Sequence, residues 1–202
     1  MMVIGLTGSI GMGKSTAAEA FRSFGVAVYD ADAEVHKLMG AGGKAVARIA
    51  AAFPGVVAKD RQGNDFIDRP ALAGKVFDDD VALRRLEGIL HPMARRAKRK
   101  FLAVAARRGE KVVVLDIPLL LETGGDRDCD AVVVVTAPRF VQRHRILRRP
   151  GMTVERMQSV VGRQMPDAEK RRRADFVVQT GLDRGHSLRT IAGIVKIVRA
   201  AA

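Results

Sequence analysis

The sequence contains one cysteine, one tyrosine and no tryptophan, and its apolar runs are short. The single thiol, Cys129, cannot form an internal disulfide or a multi-thiolate metal site, so we interpret it as a small buried side chain in a reducing compartment. The longest apolar runs, such as 112–115 and 131–135, are far shorter than the roughly 18 residues of a membrane span. The N-terminal stretch also lacks the basic region of a secretion signal. We therefore expect a cytoplasmic protein with no membrane partner.

Aromatic and acidic residues are also scarce. An aromatic content of 4% leaves few of the stacking surfaces that bind RNA and single-stranded DNA, so we expect no nucleic-acid partner. The chain has 22 acidic residues against 35 lysines and arginines, a formal net charge of +13. This excess indicates a polyanionic partner, and residues 139–173 alone contribute eleven basic side chains against three acidic ones. Phosphate-rich small molecules agree with both observations.

The patterning of the chain predicts an α/β fold. A length of 202 residues with 48% apolar and 28% charged residues suits one folded domain, which we expect to be a monomer. Short β-branched runs alternate with longer amphipathic ones, as is typical of βα units around a mostly parallel sheet. Several runs are apolar throughout, which indicates strands covered on both faces. We predict five strands, at 3–6, 26–29, 112–116, 131–136 and 176–179.

Amphipathic segments predict the helices. Those at 15–24 and 187–200 would pack on the sheet. More than eighty residues separate the second and third strands, and their pattern predicts an inserted helical subdomain that a Pro- and Gly-containing segment at 54–70 interrupts. The helices of this insertion are predicted at 33–39, 44–53, 82–90 and 93–107.

The basic stretch 139–173 is punctuated by Pro138, Pro150-Gly151 and Pro166, which predicts two or three short helices. Such a hairpin late in an α/β chain is either a mobile lid or a static, solvated basic face. We therefore describe one domain in three parts. Its core comprises 1–32, 111–138 and 174–202, its helical acceptor-binding insertion 33–110, and its lid 139–173.

The motif with the clearest chemistry is Gly8-Ser-Ile-Gly-Met-Gly13-Lys14-Ser15, which matches G-x-x-x-x-G-K-[ST] between the first predicted strand and a helix. Its glycines let backbone N–H groups converge on a phosphate, and the positive end of the helix adds to their attraction. Lys14 can reach the β and γ phosphates, and Ser15 can hold Mg²⁺. The motif predicts a P-loop NTPase, a three-layer αβα sandwich around a mostly parallel five-stranded sheet.

The remaining sequence narrows the class of P-loop protein. No guanine-reading Asn-Lys-x-Asp occurs, and the Asp-x-x-Gly string at 60–63 falls in the punctuated segment, where we interpret it as a turn. A switch GTPase is therefore disfavoured. A large ATPase motor would need a longer chain and further arginine-bearing modules. Small-molecule kinases are the class that remains.

A kinase needs a carboxylate that orients the acceptor hydroxyl or takes its proton. Asp30 and Asp32 follow the second predicted strand, at the sheet edge where the P-loop also lies. One of them is expected to face the ligand, with Asp32 favoured as the base, and the other to cap the following helix. Asp116 ends the third predicted strand. It is either a second carboxylate for Mg²⁺, which it would contact directly or through water, or a structural residue satisfied by backbone N–H groups.

With these residues identified, nearly the whole chain resembles the dephospho-CoA kinase family. The resemblance rests on the P-loop, Asp-Ala-Asp at 30–32 with His36, Ile-Asp-Arg at 67–69, Leu-His-Pro at 90–92, Asp-Ile-Pro-Leu-Leu-Leu-Glu at 116–122, the Arg-rich segment 142–153, Gln164, and Ala-Asp-Phe-Val-Val at 174–178. It implies transfer of the γ-phosphoryl group of ATP to the ribose 3′-hydroxyl of dephospho-CoA, with Mg²⁺ as cofactor.

The resemblance also implies roles for particular residues. Asp32 would be the general base, Lys14 and Arg149 would act on the transferring phosphoryl group, and His91 would face the acceptor together with His36 and Leu119. Arg143 and Arg148 are alternatives to Arg149. Where the family often has Asn or Asp after the last strand, this chain has Gln179. The residues expected to bind ATP are Gly8, Gly11, Met12, Gly13, Lys14, Ser15 and Thr16, and those expected to hold Mg²⁺ are Ser15 and Asp116.

Two other functions stay open from the residues alone. One is a small P-loop kinase for a nucleoside or nucleotide, which would share the core, the P-loop and the lid. The other is a nucleic-acid-stimulated P-loop ATPase, which the net charge and the basic cluster at 95–100 favour.

Overall fold

The computed structural model describes residues 1–77 and 79–202. Its strands are β1 (Met2–Thr7), β2 (Ala27–Asp30), β3 (Val57–Lys59), β4 (Asp65–Ile67), β5 (Val112–Asp116), β6 (Ala131–Thr136) and β7 (Phe176–Gln179). Its α-helices are α1 (Lys14–Ser23), α2 (Ala31–Met39), α3 (Val46–Ala52), α4 (Arg69–Val76), α5 (Asp80–Arg107), α6 (Arg139–Leu147), α7 (Val154–Gly162), α8 (Asp167–Arg172) and α9 (Arg184–Ala201). A single 3₁₀ turn lies at Gly125–Asp128.

Five strands form one sheet in the order β2-β5-β1-β6-β7. β1 runs parallel to both β5 and β6, and β6 runs parallel to β7. All five strands predicted from the sequence are present, and each end lies within one residue of its predicted position. The predicted α/β class with a mostly parallel sheet is therefore confirmed.

The sheet is apolar on both faces because it is covered on both. Alternate side chains such as Ile4, Leu6 and Val133 share a buried cluster with α1 and α9. The opposite face packs against a second cluster, formed by residues such as Leu120 and Leu121. Every residue of β5 and β6 is buried, as expected for inner strands of a parallel sheet.

Gly5 marks a close approach on the second face of the sheet. A Cβ atom there would lie 2.5 Å from Cδ2 of Leu120 and 2.9 Å from Sγ of Cys129. A larger side chain would therefore push this cover away from β1. Cys129 itself is half-buried rather than buried, so our interpretation of it as a buried side chain was too strong.

Residues Asp30–Ala103 form a compact unit separate from the one built of Met1–Tyr29 and Val104–Ala202. It has its own core, in which Leu38, Ile49 and Phe53 pack with Leu86 and Leu90. The predicted insertion, 33–110, begins and ends later than this unit. The helix patterns at 33–39 and 44–53 correspond to α2 and α3.

Two features of this part of the chain differ from the prediction. The helices expected at 82–90 and 93–107 are one helix, α5, which continues through Pro92. Pro92 has no backbone N–H, so the carbonyl of Gly88, four residues earlier, lacks its helical partner. Both residues are exposed, so water can bond to this carbonyl and the helix continues. The punctuated segment at 54–70 holds an antiparallel hairpin of β3 and β4.

The turn of this hairpin is the predicted turn at 60–63. The carboxylate of Asp60 accepts hydrogen bonds from the backbone N–H groups of Gln62 and Asn64, each at 2.9 Å. Gly63 follows with φ of 82°. These local hydrogen bonds explain the Asp-x-x-Gly string without a GTPase switch. In the described part of the chain, no helix is both long and apolar enough to cross a membrane.

Candidate active site

The P-loop connects the end of β1 to the start of α1. Gly11 and Gly13 have φ of 77° and 89°, a region of backbone conformation that glycine adopts without strain. Gly13 occupies the N-cap position of α1 and has no side chain to cap the helix, so the first N–H groups of α1 remain for a ligand. The strand, loop and helix predicted around this motif are therefore present.

Close packing around the loop leaves little room for side chains at its glycines. A Cβ atom at Gly8 would lie 2.7 Å from the carbonyl oxygen of Val135, and one at Gly11 would lie 2.7 Å from Cγ1 of Ile146. A Cβ atom at Gly13 would lie 2.7 Å from Oγ1 of Thr180. Space therefore favours glycine at all three positions of the motif, and backbone conformation favours it as well at Gly11 and Gly13.

Lys14 and Asp116, two predicted site residues, form an ion pair. Nζ of Lys14 lies 2.6 Å from Oδ1 of Asp116. Asp116 ends β5 and is 2% exposed, whereas Lys14 opens α1 and is half-buried. Parallel pairing of β1 with β5 brings the carboxyl ends of these two strands together, which explains why residues 102 positions apart meet.

The residues predicted to hold Mg²⁺ suit that ion by their chemistry. The carboxylate of Asp116 and the hydroxyl of Ser15 are oxygen ligands, which Mg²⁺ prefers, and it commonly completes its coordination with water and substrate phosphates. Ser15 lies in the exposed first turn of α1, next to Lys14. Asp116 thus contacts the lysine of the phosphate-binding loop, and Ser15 is the next residue after that lysine.

A cavity of about 700 Å³ lies beside the P-loop, at the carboxyl ends of β6 and β7. Its lining includes Ser9, Met12, Thr136 and Gln179. Gln179 is the residue at which the sequence departs from the resemblance described above, so this departure borders the cavity. Ligands of open parallel sheets bind at this edge. The cavity adjoins the phosphate-binding loop within the same compact unit.

Two side chains outside the motif brace the P-loop, and sequence analysis did not identify them. Arg145 on α6 donates to the carbonyl oxygen of Thr180 at 2.7 Å, to its hydroxyl at 3.0 Å and to the carbonyl oxygen of Gly11 at 3.4 Å. The hydroxyl of Thr180 in turn donates to the carbonyl oxygen of Met12. Arg145 is one of eleven basic residues in its segment, and nothing in the local sequence distinguishes it.

The three arginines that were predicted from the sequence are more exposed to solvent than Arg145. Arg143, Arg148 and Arg149 are exposed. Arg149 follows α6 at the turn before Pro150 and Gly151, and no ion pair of the described residues includes it. Its guanidinium is accordingly accessible to an anion.

The predicted acceptor carboxylates lie at the start of α2. Asp30 is the N-cap of that helix, and its Oδ1 accepts a hydrogen bond from the N–H of Ala33 at 2.9 Å. Asp32 lies in the first helical turn and is exposed. The capping position thus belongs to Asp30, which leaves the carboxylate of Asp32 available for another contact.

His36 lies one helical turn after Asp32, so the two share a face of α2. Nδ1 of His36 is 3.3 Å from Nη1 of Arg69, which begins α4. Because arginine can only donate, Nδ1 of His36 is the acceptor in this hydrogen bond. The predicted acceptor residues His91 on α5 and Leu119 after β5 are both exposed, Leu119 at 41%.

Comparison with known proteins agrees with this arrangement. Residues 2–183 match the family model described as dephospho-CoA kinase. The chain belongs to the dephospho-CoA kinase family. This kinase is 57% identical over 171 residues to the dephospho-CoA kinase of Paramagnetospirillum magneticum, an alignment that covers 85% of this chain and 78% of the relative. It is 51% identical over 198 residues to that of Rhodospirillum rubrum, covering 98% and 92% of the two chains.

Solved structures share the fold of this kinase. A Thermus thermophilus protein superposes with a TM-score of 0.82 at 33% identity, covering 97% of this chain and 96% of the other. The dephospho-CoA kinase of Campylobacter jejuni superposes with a TM-score of 0.67 at 22% identity, with the same coverages, and supports the fold alone. The predicted family, the kinase class and the nucleotide-binding P-loop are thereby confirmed.

Proposed function

We propose that this protein transfers the γ-phosphoryl group of ATP to the ribose 3′-hydroxyl of dephospho-CoA, giving coenzyme A and ADP. The match of residues 2–183 to the dephospho-CoA kinase family carries this proposal. The P-loop, the Lys14–Asp116 ion pair and the adjacent cavity support the ATP part of the reaction. Asp32, exposed on α2 with His36 one turn further, supports the acceptor part.

In this reaction Asp32 would hold the 3′-hydroxyl and accept its proton as the oxygen attacks the γ-phosphorus. The bond from the γ-phosphorus to the β,γ-bridging oxygen then breaks, and ADP leaves. Lys14 and the N–H groups of the P-loop would stabilise negative charge on the phosphoryl oxygens. Arg149 would add a guanidinium from the side of the basic segment. His36, His91 and Leu119 would contact the acceptor.

Mg²⁺ would be held by Ser15 and Asp116 together with phosphate oxygens, and when bound it supplies charge neutralisation between the β and γ phosphates. Lys14 pairs with the same carboxylate of Asp116 that would contact Mg²⁺, so this lysine also neutralises the negative charge of a buried side chain. The oxygen ligands and the lysine together would orient the triphosphate before transfer.

The test is an ADP-release assay with a panel of acceptors: dephospho-CoA, adenosine, AMP and single-stranded DNA. We expect rapid ADP release with dephospho-CoA and with no other acceptor of the panel. Phosphorus and proton NMR of the product should place the new phosphate at the 3′ position. Equal turnover with adenosine or AMP would identify a nucleoside or nucleotide kinase instead. ATP hydrolysis that requires DNA would identify a nucleic-acid-stimulated ATPase.

A further inference from the structure

Ile10 in the P-loop is held at both its backbone N–H and its backbone carbonyl by glutamine side chains from distant parts of the chain. Oε1 of Gln164 accepts a hydrogen bond from the backbone N–H of Ile10 at 3.0 Å. Nε2 of Gln142 donates to the carbonyl oxygen of Ile10 at 2.9 Å. Gln142 lies on α6, and Gln164 follows α7. We call these two residues the glutamine clamp.

The clamp supplies what regular secondary structure would otherwise provide. Ile10 lies in the turn between β1 and α1, where neither its N–H nor its carbonyl belongs to a strand or helix ladder. Buried and half-buried backbone groups need partners, and one amide oxygen and one amide N–H satisfy both. The two glutamines therefore bond Ile10 as a neighbouring strand would.

Gln164 is itself held by a buried ion pair. The N–H of the next residue, Met165, donates to Oε1 of Glu122 at 3.0 Å. The same carboxylate oxygen lies 2.7 Å from Nζ of Lys170, whose side chain is fully buried. Separating such a pair would leave an uncompensated charge away from water, which is strongly unfavourable. The backbone at Gln164 is thus anchored to the loop after β5.

Freedom in the P-loop is the reason a clamp matters. Gly8, Gly11 and Gly13 give the unbound loop more conformations than other residues would, and phosphate binding requires one of them. A loop already held in that conformation loses less entropy on binding and reorganises less during the reaction. Ile10 lies between the first two of these glycines, where its orientation fixes the direction of the N–H groups that follow.

We propose that Gln142 and Gln164 are positioning residues, which hold the two peptides that flank the Cα atom of Ile10 so that the P-loop is arranged for ATP before ATP binds. This inference rests on the proposed kinase function only for its kinetic readout. Neither glutamine needs to contact the substrate. Gln164 must accept a hydrogen bond, whereas Gln142 must donate one. Substitutions that change only the donor or the acceptor therefore distinguish this role from one in which the two side chains merely fill space.

The test compares glutamate and methionine at both positions. Gln164→Glu keeps an acceptor for the Ile10 N–H, but Gln142→Glu removes the donor and places a carboxylate against a carbonyl oxygen. Both variants add one negative charge beside the backbone of the same residue, Ile10, so each controls for the electrostatic effect of the other. Gln164→Met and Gln142→Met remove the hydrogen bonds and keep similar length. Gln158→Met, at an exposed position on α7, is the matched control.

We expect both clamp methionine variants to weaken binding of a non-hydrolysable ATP analogue, and to lower kcat/KM for ATP, by roughly 3- to 10-fold each, the effect of one hydrogen bond. KM for dephospho-CoA should be unchanged. Gln164→Glu should stay within about 3-fold of the wild type, whereas Gln142→Glu should be impaired at least as much as Gln142→Met. Amide hydrogen exchange of residues 9–15 without ATP should accelerate in the impaired variants only.

Two outcomes would overturn the proposal. Unchanged analogue affinity in folded Met variants would do so, and so would equal behaviour of the two Glu variants. A Met variant that fails to fold leaves the comparison of the Glu variants and the exchange rates to decide. Analogue binding and hydrogen exchange need no acceptor, so a wild-type protein that does not phosphorylate dephospho-CoA would refute the proposed function and leave this test intact.

Discussion

At the scale of single residues, the Lys14–Asp116 pair joins the phosphate-binding loop to the end of β5. Lysine has three donors, so Lys14 can keep the carboxylate and still bind a phosphate oxygen. We expect Lys14→Ala to lower kcat by about 10²-fold or more, because a preorganised charge on the transferring group is lost. ADP release measures this effect, with Lys196→Ala, exposed on α9, as the control.

The double variant Lys14→Ala/Asp116→Asn separates catalysis from stability. If Lys14→Ala also lowers the midpoint of thermal unfolding, neutralising Asp116 should restore part of that loss, since the buried carboxylate no longer lacks its ion-pair partner. Activity should not return with stability. Turnover near that of the wild type in the single variant would contradict the role of Lys14.

Asp30 and Asp32 give a second prediction at this scale. Asp32→Asn should reduce kcat by about 10²- to 10⁴-fold with little change in ATP affinity, because the amide keeps the shape but cannot accept the proton. Asp30→Asn should be nearly neutral, since asparagine also caps helices, whereas Asp30→Ala should destabilise the protein by about 1 kcal/mol. Kinetics and urea unfolding distinguish these effects. A large kinetic loss in Asp30→Asn alone would exchange the two roles.

The P-loop could be predicted from the sequence residue by residue, but its supports could not. The motif is local, and each glycine, the lysine and the serine have a fixed spacing. Gln142, Arg145 and Thr180 reach the P-loop from more than 130 residues away. A glutamine or arginine on a helix carries no local signal that distinguishes a structural contact from a solvated one, so only the tertiary structure identifies these residues.

At the scale of elements, the basic segment divides into anchored and unanchored parts. Ile146 of α6 and Lys170 of α8 are fully buried, whereas α7 has no buried residue. Gln142 donates a hydrogen bond to the backbone of Ile10 and Gln164 accepts one from it, and these bonds attach the parts on either side of α7 to the P-loop. If the segment closes over ATP, residues 148–163 are therefore the part that can move, rather than the whole of 139–173.

We expect an ATP–dephospho-CoA bisubstrate analogue to slow amide hydrogen exchange in residues 148–163, and to change α6 and α8 little. Arg149→Ala should lower kcat by about 10²-fold or more if its guanidinium stabilises the transferring phosphoryl group. Arg172→Ala, equally exposed but on α8, is the control. Equal exchange with and without the analogue, combined with an active Arg149→Ala, would identify a static basic surface.

The N-terminus of α9 gives a pH-dependent prediction. Asp183 caps this helix, and the hydrogen bond from the N–H of His186, at 2.8 Å, lowers the pKa of its carboxyl below the usual 3.8. Because the pKa is lower in the folded protein, the carboxylate stabilises the fold above pH 3.8 and this stabilisation disappears as pH falls through the folded pKa.

Asparagine at position 183 caps the helix but does not titrate. The free energy of unfolding of Asp183→Asn minus that of the wild type should therefore increase as the pH falls below about 4. Urea unfolding between about pH 2 and 7 measures the difference. Glu87→Gln, at an exposed carboxyl on α5, is the reference. A constant difference between Asp183→Asn and the wild type at every pH would contradict the expected capping effect.

The elements that were predicted well have strong local patterns. Strands of the buried sheet are apolar at nearly every position, and turns bound them closely. The hairpin of β3 and β4 has only three residues in each strand, too few for a pattern of alternation. Pro92 favoured a break in α5, but its exposed position allows solvent to replace the lost helical hydrogen bond.

At the scale of the whole molecule, a net charge of +13 would attract any polyanion. We expect KM for dephospho-CoA to rise several-fold between about 50 and 200 mM salt, because screening weakens attraction between the basic protein and its anionic substrate. Single-stranded DNA should leave the rate of ATP hydrolysis unchanged at both salt concentrations. DNA-dependent ATP hydrolysis with a steep salt dependence would instead indicate that the basic surface binds nucleic acid.

The order of strands also determines when the protein can fold during its synthesis. β1 is made first, yet both of its neighbours, β5 and β6, begin more than a hundred residues later. At about 5–20 residues per second, a ribosome needs roughly 6 to 25 seconds to proceed from the end of β1 to the start of β6. The compact Asp30–Ala103 unit is synthesised completely in the meantime. We therefore expect β1 to remain without its partner strands for seconds in the nascent chain, a period in which an unpaired apolar strand is prone to aggregate.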